Sequence, residues 1–246
     1  MFGGGTRGDH STEITALRQA LRKTGHPIVL SLSPGTRDDS QAAFLAEQAQ
    51  MWRISGDFWD RWVDLKNQFP RLNRWIVHTK PGHWPDADML PLGKIGVRAE
   101  RGEPRMSLLT HDEQITLMTL WSIGRSPLMF GGNLPDNDEF TLSLISNDEV
   151  LGVNQDSTAN RQLSANGNQV TWVADVPGSR AKYLAVFNLG DMAEEEVSVN
   201  WSEVGLSGKC MVRDLWARKD IGTVENGQVF RVKPHAAGLY RLRSVQ

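Results

Sequence analysis

Apolar side chains in the first part of the chain recur at the spacing of amphipathic helices, and short apolar runs separate these helical blocks. The helical spacing predicts helices over 12–23, 41–50, 58–72 and 114–123. The shorter runs predict strands over 28–33, 51–55, 87–90 and 127–130. Helices that alternate with strands are typical of a parallel sheet, so we expect an α/β arrangement here.

Residue types at the predicted helix ends support these bounds. Thr110 and Glu113 stand three apart at the last helix, the spacing of a capping box, in which each side chain bonds the other residue's backbone. Gly25 stops the first helix. Asp57 stands where the helix over 58–72 begins, so one interpretation of Asp57 is that it caps this helix.

The period of the apolar pattern changes to two after about residue 160. Alternation of apolar and polar residues predicts strands around 170–174, 184–188, 197–201 and 229–233. Asn166-Gly167 and Asn226-Gly227 are residue pairs typical of tight turns between such strands. Short antiparallel strands joined by tight turns predict a β-sandwich.

Composition and charge exclude several classes of protein. The 27 Lys and Arg residues nearly balance the 29 Asp and Glu residues without a basic run, which argues against nucleic acid or a membrane surface as the main partner. The single cysteine, Cys210, can form neither an internal disulfide nor a Cys-x-x-Cys metal site. No apolar run approaches the roughly 20 residues of a membrane-spanning helix.

Candidate chemistry gathers where predicted strands end, the edge at which α/β folds place their sites. Arg53 and Asp57 put a guanidinium and a carboxylate in a tryptophan-rich segment, a combination that suits sugar hydrolysis. Asp86 and Asp88 form an Asp-x-Asp pair, which either holds a divalent metal or caps backbone amides. The nine Trp residues favour stacking on sugars or, more commonly, a Trp-rich core.

Four segments, taken in order and with their spacing, resemble a single family. They are Thr24-Gly25-His26-Pro27-Ile28-Val29-Leu30-Ser31, Met51-Trp52-Arg53-Ile54-Ser55-Gly56-Asp57, Gly82-His83-Trp84-Pro85-Asp86-Ala87-Asp88-Met89-Leu90, and Leu120-Trp121-Ser122-Ile123 through Ser126-Pro127-Leu128. Over nearly its whole length the chain resembles the α-galactosidase (melibiase-type) glycoside hydrolases of family twenty-seven. The resemblance implies a (β/α)8 TIM barrel followed by an antiparallel β-sandwich, and hydrolysis of α-galactosides with retention of configuration.

The resemblance also implies roles for individual residues. Asp57 resembles the general acid/base of the family, and Arg53 resembles a pocket residue beside it. Asp88 and Met89 resemble the pocket wall that the family places after its seventh strand. Trp84, in the same segment, and Ser33, after the first predicted strand, are expected to contact the sugar as well.

Ser33 bears on which sugar is bound, because the matching residue of the family faces the substituent at C2. Galactose-specific relatives carry a Glu there, which accepts a hydrogen bond from a hydroxyl and leaves no room for an acetamide. A serine leaves that space, as the related N-acetylgalactosaminidases do. The alternative is that Ser-x-Ser-Pro-Gly members act on ordinary galactosides and contact C2 from elsewhere.

The nucleophile of the family is the residue that the sequence does not supply. Retention requires two carboxyl groups about 5 to 5.5 Å apart, one of which attacks the sugar. In the family the attacking Asp follows the fourth barrel strand in a Lys-x-Asp context, and only Asp9 precedes the first predicted helix here. Asp9 lacks a strand before it, so we expect the sequence to begin just past the nucleophile.

These expectations give a specific domain organisation and function. Residues 1–156 are predicted to form strands five to eight of the barrel, and residues 157–246 the sandwich. The expected function is that of a retaining α-galactosidase, inactive as this chain alone, with no cofactor and with an α-galactoside-containing oligosaccharide or glycoconjugate as substrate. Open sheet edges favour pairing with a second copy. The alternatives are a non-catalytic carbohydrate-binding or structural protein, an α-N-acetylgalactosaminidase, and a metal-dependent sugar transferase; the compartment cannot be read from the chain.

Overall fold

A computed structural model describes residues 10–35, 39–99 and 102–245. The part up to residue 156, called the parallel region below, carries the following helices: α1 Ser11–Lys23, α2 Ala42–Gln48, α3 Trp62–Lys66, α4 Gln68–Trp75, α5 His111–Ile123, α6 Glu139–Ile145 and α7 Asp148–Asp156. Its strands are β1 Ser31–Leu32, β2 Met51–Arg53, β3 Trp84–Asp86, β4 Lys94–Ile95 and β5 Arg105–Met106. Short 3-10 turns cover Asp39–Gln41, Ile76–His78 and Leu134–Asp136.

The central sheet of the parallel region has the order β1-β2-β3, and all of its pairs are parallel. Strands β1 and β2 are shorter than predicted, and β3 lies at Trp84–Asp86, directly before the run predicted over 87–90. Ile28 and Val29 are exposed and lie outside β1, because no neighbouring strand among the described residues covers them. The run over 127–130 forms only a parallel bridge from Phe130 to Leu90. The predicted α/β alternation is confirmed, and the predicted strand lengths are wrong.

The helix predicted over 58–72 is wrong in two respects. The helical backbone begins only at Trp62, because Arg61 before it is extended, with φ −127° and ψ 134°. The helix then breaks after α3, and α4 begins at Gln68. Pro70 lies in the first turn of α4, where its missing N–H is tolerated, whereas a proline inside one continuous helix would clash with the preceding turn.

The remainder of the chain, called the sandwich region, is antiparallel as predicted. Its strands are β6 Thr158–Asn166, β7 Gln169–Asp175, β8 Lys182–Asn188, β9 Glu195–Asn200, β10 Lys209–Asp214, β11 Lys219–Glu225, β12 Gly227–Val232 and β13 Ala237–Ser244. One sheet has the order β11-β10-β13-β8-β7-β6, and the other pairs β12 with β9. Asn166 pairs with Gln169, which closes the predicted tight turn, whereas Asn226 carries the chain from one sheet to the other.

Helix α5 joins the two regions. The predicted capping box opens it, since Thr110 Oγ1 accepts the Glu113 N–H at 3.2 Å and Glu113 Oε2 accepts the Thr110 N–H at 2.7 Å. Most of its residues are buried, and it packs against β7, β8 and β13. One apolar core therefore extends from the parallel sheet across α5 into the sandwich region.

Tryptophans account for much of the buried interior: four of them lie in this core, and Trp201 lies in a second core cluster within the sandwich region. The side chains of Trp52, Trp75, Trp121, Trp172 and Trp201 are fully buried, so the structure places these five in the apolar interior rather than at a surface for sugars. Cys210 is buried and unbonded to another cysteine. Within the described residues, no helix is long and apolar enough to span a membrane.

Candidate active site

Strands β2 and β3 end side by side, because Arg53 pairs with Asp86 in parallel register. The Ile54 N–H extends this pairing with a hydrogen bond to the Asp86 carbonyl at 2.9 Å. The carboxyl ends of parallel strands form one edge of a sheet, and the loops beyond this edge carry Asp57 and Asp88. The sheet thus brings Arg53, Asp57 and Asp88 together, and these three are called the Arg53 cluster below.

The Arg53 guanidinium joins the two carboxylates of the cluster. Its Nη2 atom lies 2.9 Å from Asp57 Oδ1 and 3.4 Å from Asp88 Oδ2, and it donates to the Ser55 carbonyl at 3.3 Å. The side chains of Arg53 and Asp88 are 17% and 12% exposed, whereas that of Asp57 is 62% exposed. Burial fixes two members of the cluster, and the third carboxylate is open to solvent.

Asp88 holds a backbone conformation that few residues adopt. Its φ of +87° lies in the left-handed region, which is costly for a residue with a Cβ. The Asp88 Oδ2 atom accepts the Phe58 N–H at 2.7 Å, the Asp88 N–H donates to Asp86 Oδ1 at 2.9 Å, and the Asp88 carbonyl accepts Trp121 Nε1–H at 2.9 Å. Burial raises the pKa of the Asp88 carboxyl, although N–H groups of Phe58 and Met89 favour its charged form. Strain that is held by so many contacts is typical of functional positions.

The carboxylates of the Asp-x-Asp pair bind backbone amides, as the capping alternative predicts. The Asp86 carboxylate accepts a hydrogen bond from the Asp88 N–H, and the Asp88 carboxylate accepts one from the Phe58 N–H. Asp86 is buried, and this burial raises the pKa of its carboxyl to about 6. Within the part of the chain that the structure describes, no three His, Cys, Asp or Glu side chains form a group that could hold a metal ion.

Asp57 does not cap a helix. The helix after it begins at Trp62, five residues further along, and the intervening loop is extended at Arg61. The capping interpretation of Asp57 is therefore wrong, because Asp57 is too far from the first helical N–H groups to accept from them. Its exposed carboxylate lies instead beside the Arg53 guanidinium.

A buried carboxylate that sequence reasoning missed anchors this loop. The Asp60 side chain is 2% exposed, and its Oδ1 and Oδ2 atoms accept from Arg105 Nη2 at 2.7 Å and from the Leu108 N–H at 2.8 Å. The contact ties the loop after β2 to the β4–β5 hairpin. No local pattern could reveal a pair so far apart in sequence; the only signal is a second Asp three residues after Asp57.

Ser33 and Met89 lie beside the Arg53 cluster. Leu32 pairs with Trp52, so the next residue, Ser33, lies opposite Arg53 across the sheet. Ser33 is half-buried. Met89 is half-buried and packs closely on Gly131, where an added Cβ would lie 2.6 Å from the Met89 sulfur. The structure thus places both predicted residues at the edge of the sheet that carries the cluster.

Trp84 is not brought to the cluster. It pairs with Met51 at the opposite end of β2 and β3, and the guanidinium of Arg125 lies 4.9 Å from the centre of its ring. Together with Pro127, Asn154 and neighbouring residues, these two side chains line a separate cavity of about 270 Å³. Trp84 therefore lines a cavity other than the one that Asp57 lines.

A cavity of about 260 Å³ adjoins the exposed face of Asp57. It is called the Trp59 cavity below, and it is lined by Asp57, Trp59, Asp60, Arg61, Arg105 and Leu108. Asp57 belongs both to this cavity and to the Arg53 cluster. An exposed carboxylate that borders a cavity with an aromatic wall can exchange a proton with a bound ligand.

Comparisons with known proteins identify the family of this chain. A family model described as alpha galactosidase A matches residues 8–156, and one described as the alpha galactosidase C-terminal beta sandwich domain matches residues 166–242. The chain belongs to the alpha galactosidase A family. Its members among the matched proteins are glycoside hydrolases, so the resemblance found in the sequence is confirmed.

Individual relatives extend the match over nearly all of this chain. Alpha-galactosidase 2 of Arabidopsis thaliana is 28% identical over 92% of the chain and 54% of its own length. The crystal structure of a family 27 β-L-arabinopyranosidase from Geobacillus stearothermophilus is 44% identical with a TM-score of 0.93, over 97% of this chain and 55% of that one. The chain therefore spans about half the length of the relatives it matches.

Asp9, the early carboxylate considered as a nucleophile, lies outside the described residues. Among the described residues, the second carboxylate at Arg53 is Asp88, whose Oδ2 atom already accepts the Phe58 N–H. The geometry therefore places one exposed carboxylate, Asp57, next to the ion pair of Arg53 and Asp88.

Proposed function

We propose that this chain carries the acid/base side of a retaining glycosidase active site that acts on α-galactosides. The observation that supports it best is the exposed Asp57 carboxylate, held 2.9 Å from the buried Arg53 guanidinium in a chain of the α-galactosidase family. We further propose that β1, β2, β3 and the run over 127–130, which forms a parallel bridge to Leu90, correspond to strands five to eight of a (β/α)8 barrel. The catalytic part would then be residues 1–156, and the sandwich domain residues 157–246.

In this proposal Asp57 first protonates the oxygen of the departing group and then takes a proton from the water that releases the sugar. Its exposure suits this role, since the side chain reaches both a bound ligand and water. Asp60, clamped by Arg105, keeps the loop of Asp57 in place.

Arg53 and Asp88 hold the sugar ring in this proposal. The guanidinium donates to hydroxyl oxygens and the carboxylate accepts from hydroxyl hydrogens, the polar contacts that orient a ligand in a pocket. Met89 and Ser33 form the walls beside them, with Ser33 nearest the C2 substituent. Trp84 is left out, because the structure places it at the other end of the strands.

The nucleophile is assigned to a carboxylate outside the described residues. Asp88 is unsuited to attack, because the Phe58 N–H and the Arg53 guanidinium occupy its Oδ2 atom and its backbone is held rigidly. Retention requires a second carboxyl about 5 to 5.5 Å from Asp57 with a free oxygen that faces the sugar.

A second substrate is supported by one comparison, the family 27 β-L-arabinopyranosidase with which this chain shares 44% identity. β-L-Arabinopyranose has the ring configuration of α-D-galactopyranose and lacks only the hydroxymethyl group at C5. Contacts from Arg53 and Asp88 to ring hydroxyls would therefore serve either sugar.

The experiment measures binding of methyl α-D-galactopyranoside and methyl β-L-arabinopyranoside to the chain by titration calorimetry, beside turnover of the matching nitrophenyl glycosides. We expect Arg53→Met or Asp88→Asn to weaken binding of either sugar at least about tenfold, since each removes a charged hydrogen bond. Thr110→Ala, which is remote from the cluster, is the control. Absence of both binding and turnover in the unaltered chain would overturn the proposal.

A further inference from the structure

The Trp59 cavity adjoins the Arg53 cluster at Asp57. Of the residues that line it, Asp57 alone belongs to the Arg53 cluster. Its volume of about 260 Å³ is below the range of about 300 to 1,000 Å³ that holds a drug-sized ligand, so it suits one ring.

The position of a general acid dictates what lies on either side of it. The acid protonates the bridging oxygen, so the ring that keeps the anomeric carbon lies on one side and the departing group on the other. With the first ring at Arg53 and Asp88, the departing group extends from Asp57 into the Trp59 cavity. We propose that this cavity is the leaving-group subsite and that it takes a second pyranose ring, an inference that rests on the proposed function.

The walls of the cavity match the two kinds of surface that a pyranose carries. Trp59 is half-buried, and Leu108 is 66% exposed, which together offer apolar area for the C–H face of a sugar. Arg61 supplies donors for hydroxyl oxygens. Its Nε and Nη2 atoms donate to Asp64 at 2.7 and 2.9 Å, and this contact holds the guanidinium at the cavity wall.

A buried contact fixes one wall of the cavity. Asp60 accepts hydrogen bonds from Arg105 Nη2 and from the Leu108 N–H. These bonds hold β5 and the residues after it against the loop that carries Asp57 and Trp59. The Arg105 Nη1 atom is buried and has no hydrogen-bond partner among the described residues, so the guanidinium keeps donor capacity in this wall. A preformed subsite of this kind loses little entropy when a ring enters.

The test compares two ligands that share the first ring: methyl α-D-galactopyranoside and melibiose, in which glucose replaces the methyl group. Their dissociation constants are measured by titration calorimetry on the chain. We expect melibiose to bind at least about fivefold more tightly, and we expect Trp59→Leu to remove most of this gain through lost stacking. Leu108→Ser should remove about half of it without altering the binding of the methyl galactoside.

Leu134→Ser is the matched control, because Leu134 is 65% exposed and lies outside the cavity. It should leave the preference for melibiose unchanged. Arg61→Met tests the sugar specifically: it should lower the affinity for melibiose about threefold and leave that for a nitrophenyl α-galactoside unchanged. Near-ultraviolet circular dichroism confirms that each variant is folded, and Leu108→Ser keeps the test valid if Trp59→Leu fails to fold.

The outcomes separate the subsite from the proposed function. If the methyl galactoside binds through Arg53 and melibiose binds no more tightly, the function stands and the subsite is wrong. If neither ligand binds, both are wrong. The nitrophenyl galactoside could show the same increase in affinity over the methyl galactoside as melibiose does, with neither ligand affected by Arg61→Met. The cavity would then accept any apolar group, and the assignment to a pyranose would be wrong.

Discussion

The parallel region and the sandwich region satisfy their backbone polar groups in different ways. In the sandwich, β7 and β8 pair along their whole lengths, from Gln169 with Asn188 to Asp175 with Lys182. In the parallel sheet, pairing lasts only two or three residues, and beyond it side chains take over the loop N–H groups. Asp60 and Asp88 each accept one such group. The sandwich thus depends on regular pairing, and the candidate site depends on a few buried carboxylates.

The largest expected effect tests whether stability resides in the sandwich core. Trp201 is fully buried, and its Nε1–H donates to the Val224 carbonyl at 3.1 Å. Trp201→Ala should lower the free energy of unfolding by about 3 to 5 kcal/mol, because it leaves a cavity and an unpaired carbonyl. Asp57→Ala, at the exposed side chain of the site, should change it by less than about 0.5 kcal/mol. Urea denaturation followed by circular dichroism measures the free energy of unfolding of both variants. Equal losses of stability would show that the sandwich core is no more important for stability than the exposed side chain of the site.

The second prediction concerns the cost of burying a carboxylate at the site. Burial raises the pKa of Asp86 from its usual 3.8 to about 6, so between these values the folded protein binds more protons than the unfolded chain. Asp86 therefore makes the free energy of unfolding fall by about 2 to 3 kcal/mol as the pH rises from about 4 to 6.

Asp86→Asn should remove this fall while its Oδ1 atom still accepts the Asp88 N–H. Urea titrations of both proteins from pH 4 to 7 provide the measurement. Parallel stability profiles for the two proteins would show that Asp86 does not titrate in this range.

Local patterns predicted much of this architecture. The capping box of Thr110 and Glu113 lies within one turn, and the alternation around Trp172 follows from the geometry of a strand, so both are present in the sequence itself. The break at Pro70 was also visible as a residue, but the apolar face that continues through Phe69 and Leu72 favoured one helix.

The contacts that build the site could not be predicted in the same way. Arg105 reaches Asp60 across 45 residues, and the Phe58 N–H reaches Asp88 across 30. Such pairs depend on how β3, the β4–β5 hairpin and the loop after β2 pack, and no periodicity records this. Trp84 illustrates the same limit: the family motif contains it, but its position at the start of β3 directs it away from Asp57.

The third prediction compares two carboxylates on the loop and helix after Asp57. Asp60→Asn should destabilise the fold by about 1 to 3 kcal/mol, because it places an amide N–H₂ against the donor of either Arg105 or Leu108 in a buried position and removes the charge that pairs with Arg105. Asp64→Asn should lower the free energy of unfolding by less, because its partner Arg61 is largely exposed. Thermal melts of the two variants measure the difference. If Asp64→Asn is equally harmful, burial of Asp60 is not what holds the loop.

The smallest expected effect concerns the contact between the two regions. Glu113 serves both: its Oε2 atom accepts the Thr110 N–H in the capping box, and its Oε1 atom lies 2.7 Å from Nδ1 of His235, between β12 and β13. The His235 ring also stacks on Trp62, with ring centres 3.9 Å apart. Thr110→Ala should cost about 1 kcal/mol as a lost cap.

His235→Asn removes the ring but retains a residue type that tolerates the φ of +62° found there. If Glu113 couples the cap to the sandwich, the double variant should depart from additivity by about 0.5 kcal/mol or more, since each change removes a contact of Glu113. Thr110→Ala removes the acceptor of its backbone N–H, and His235→Asn removes the partner of its Oε1 atom. Thr110→Ala combined with Trp201→Ala should be additive, because Trp201 shares no partner with Glu113. Urea denaturation of the three single and two double variants measures both cycles. Additivity in the His235 cycle would mean that the capping box and the contact between the regions are independent, and that α5 joins them through its apolar faces alone.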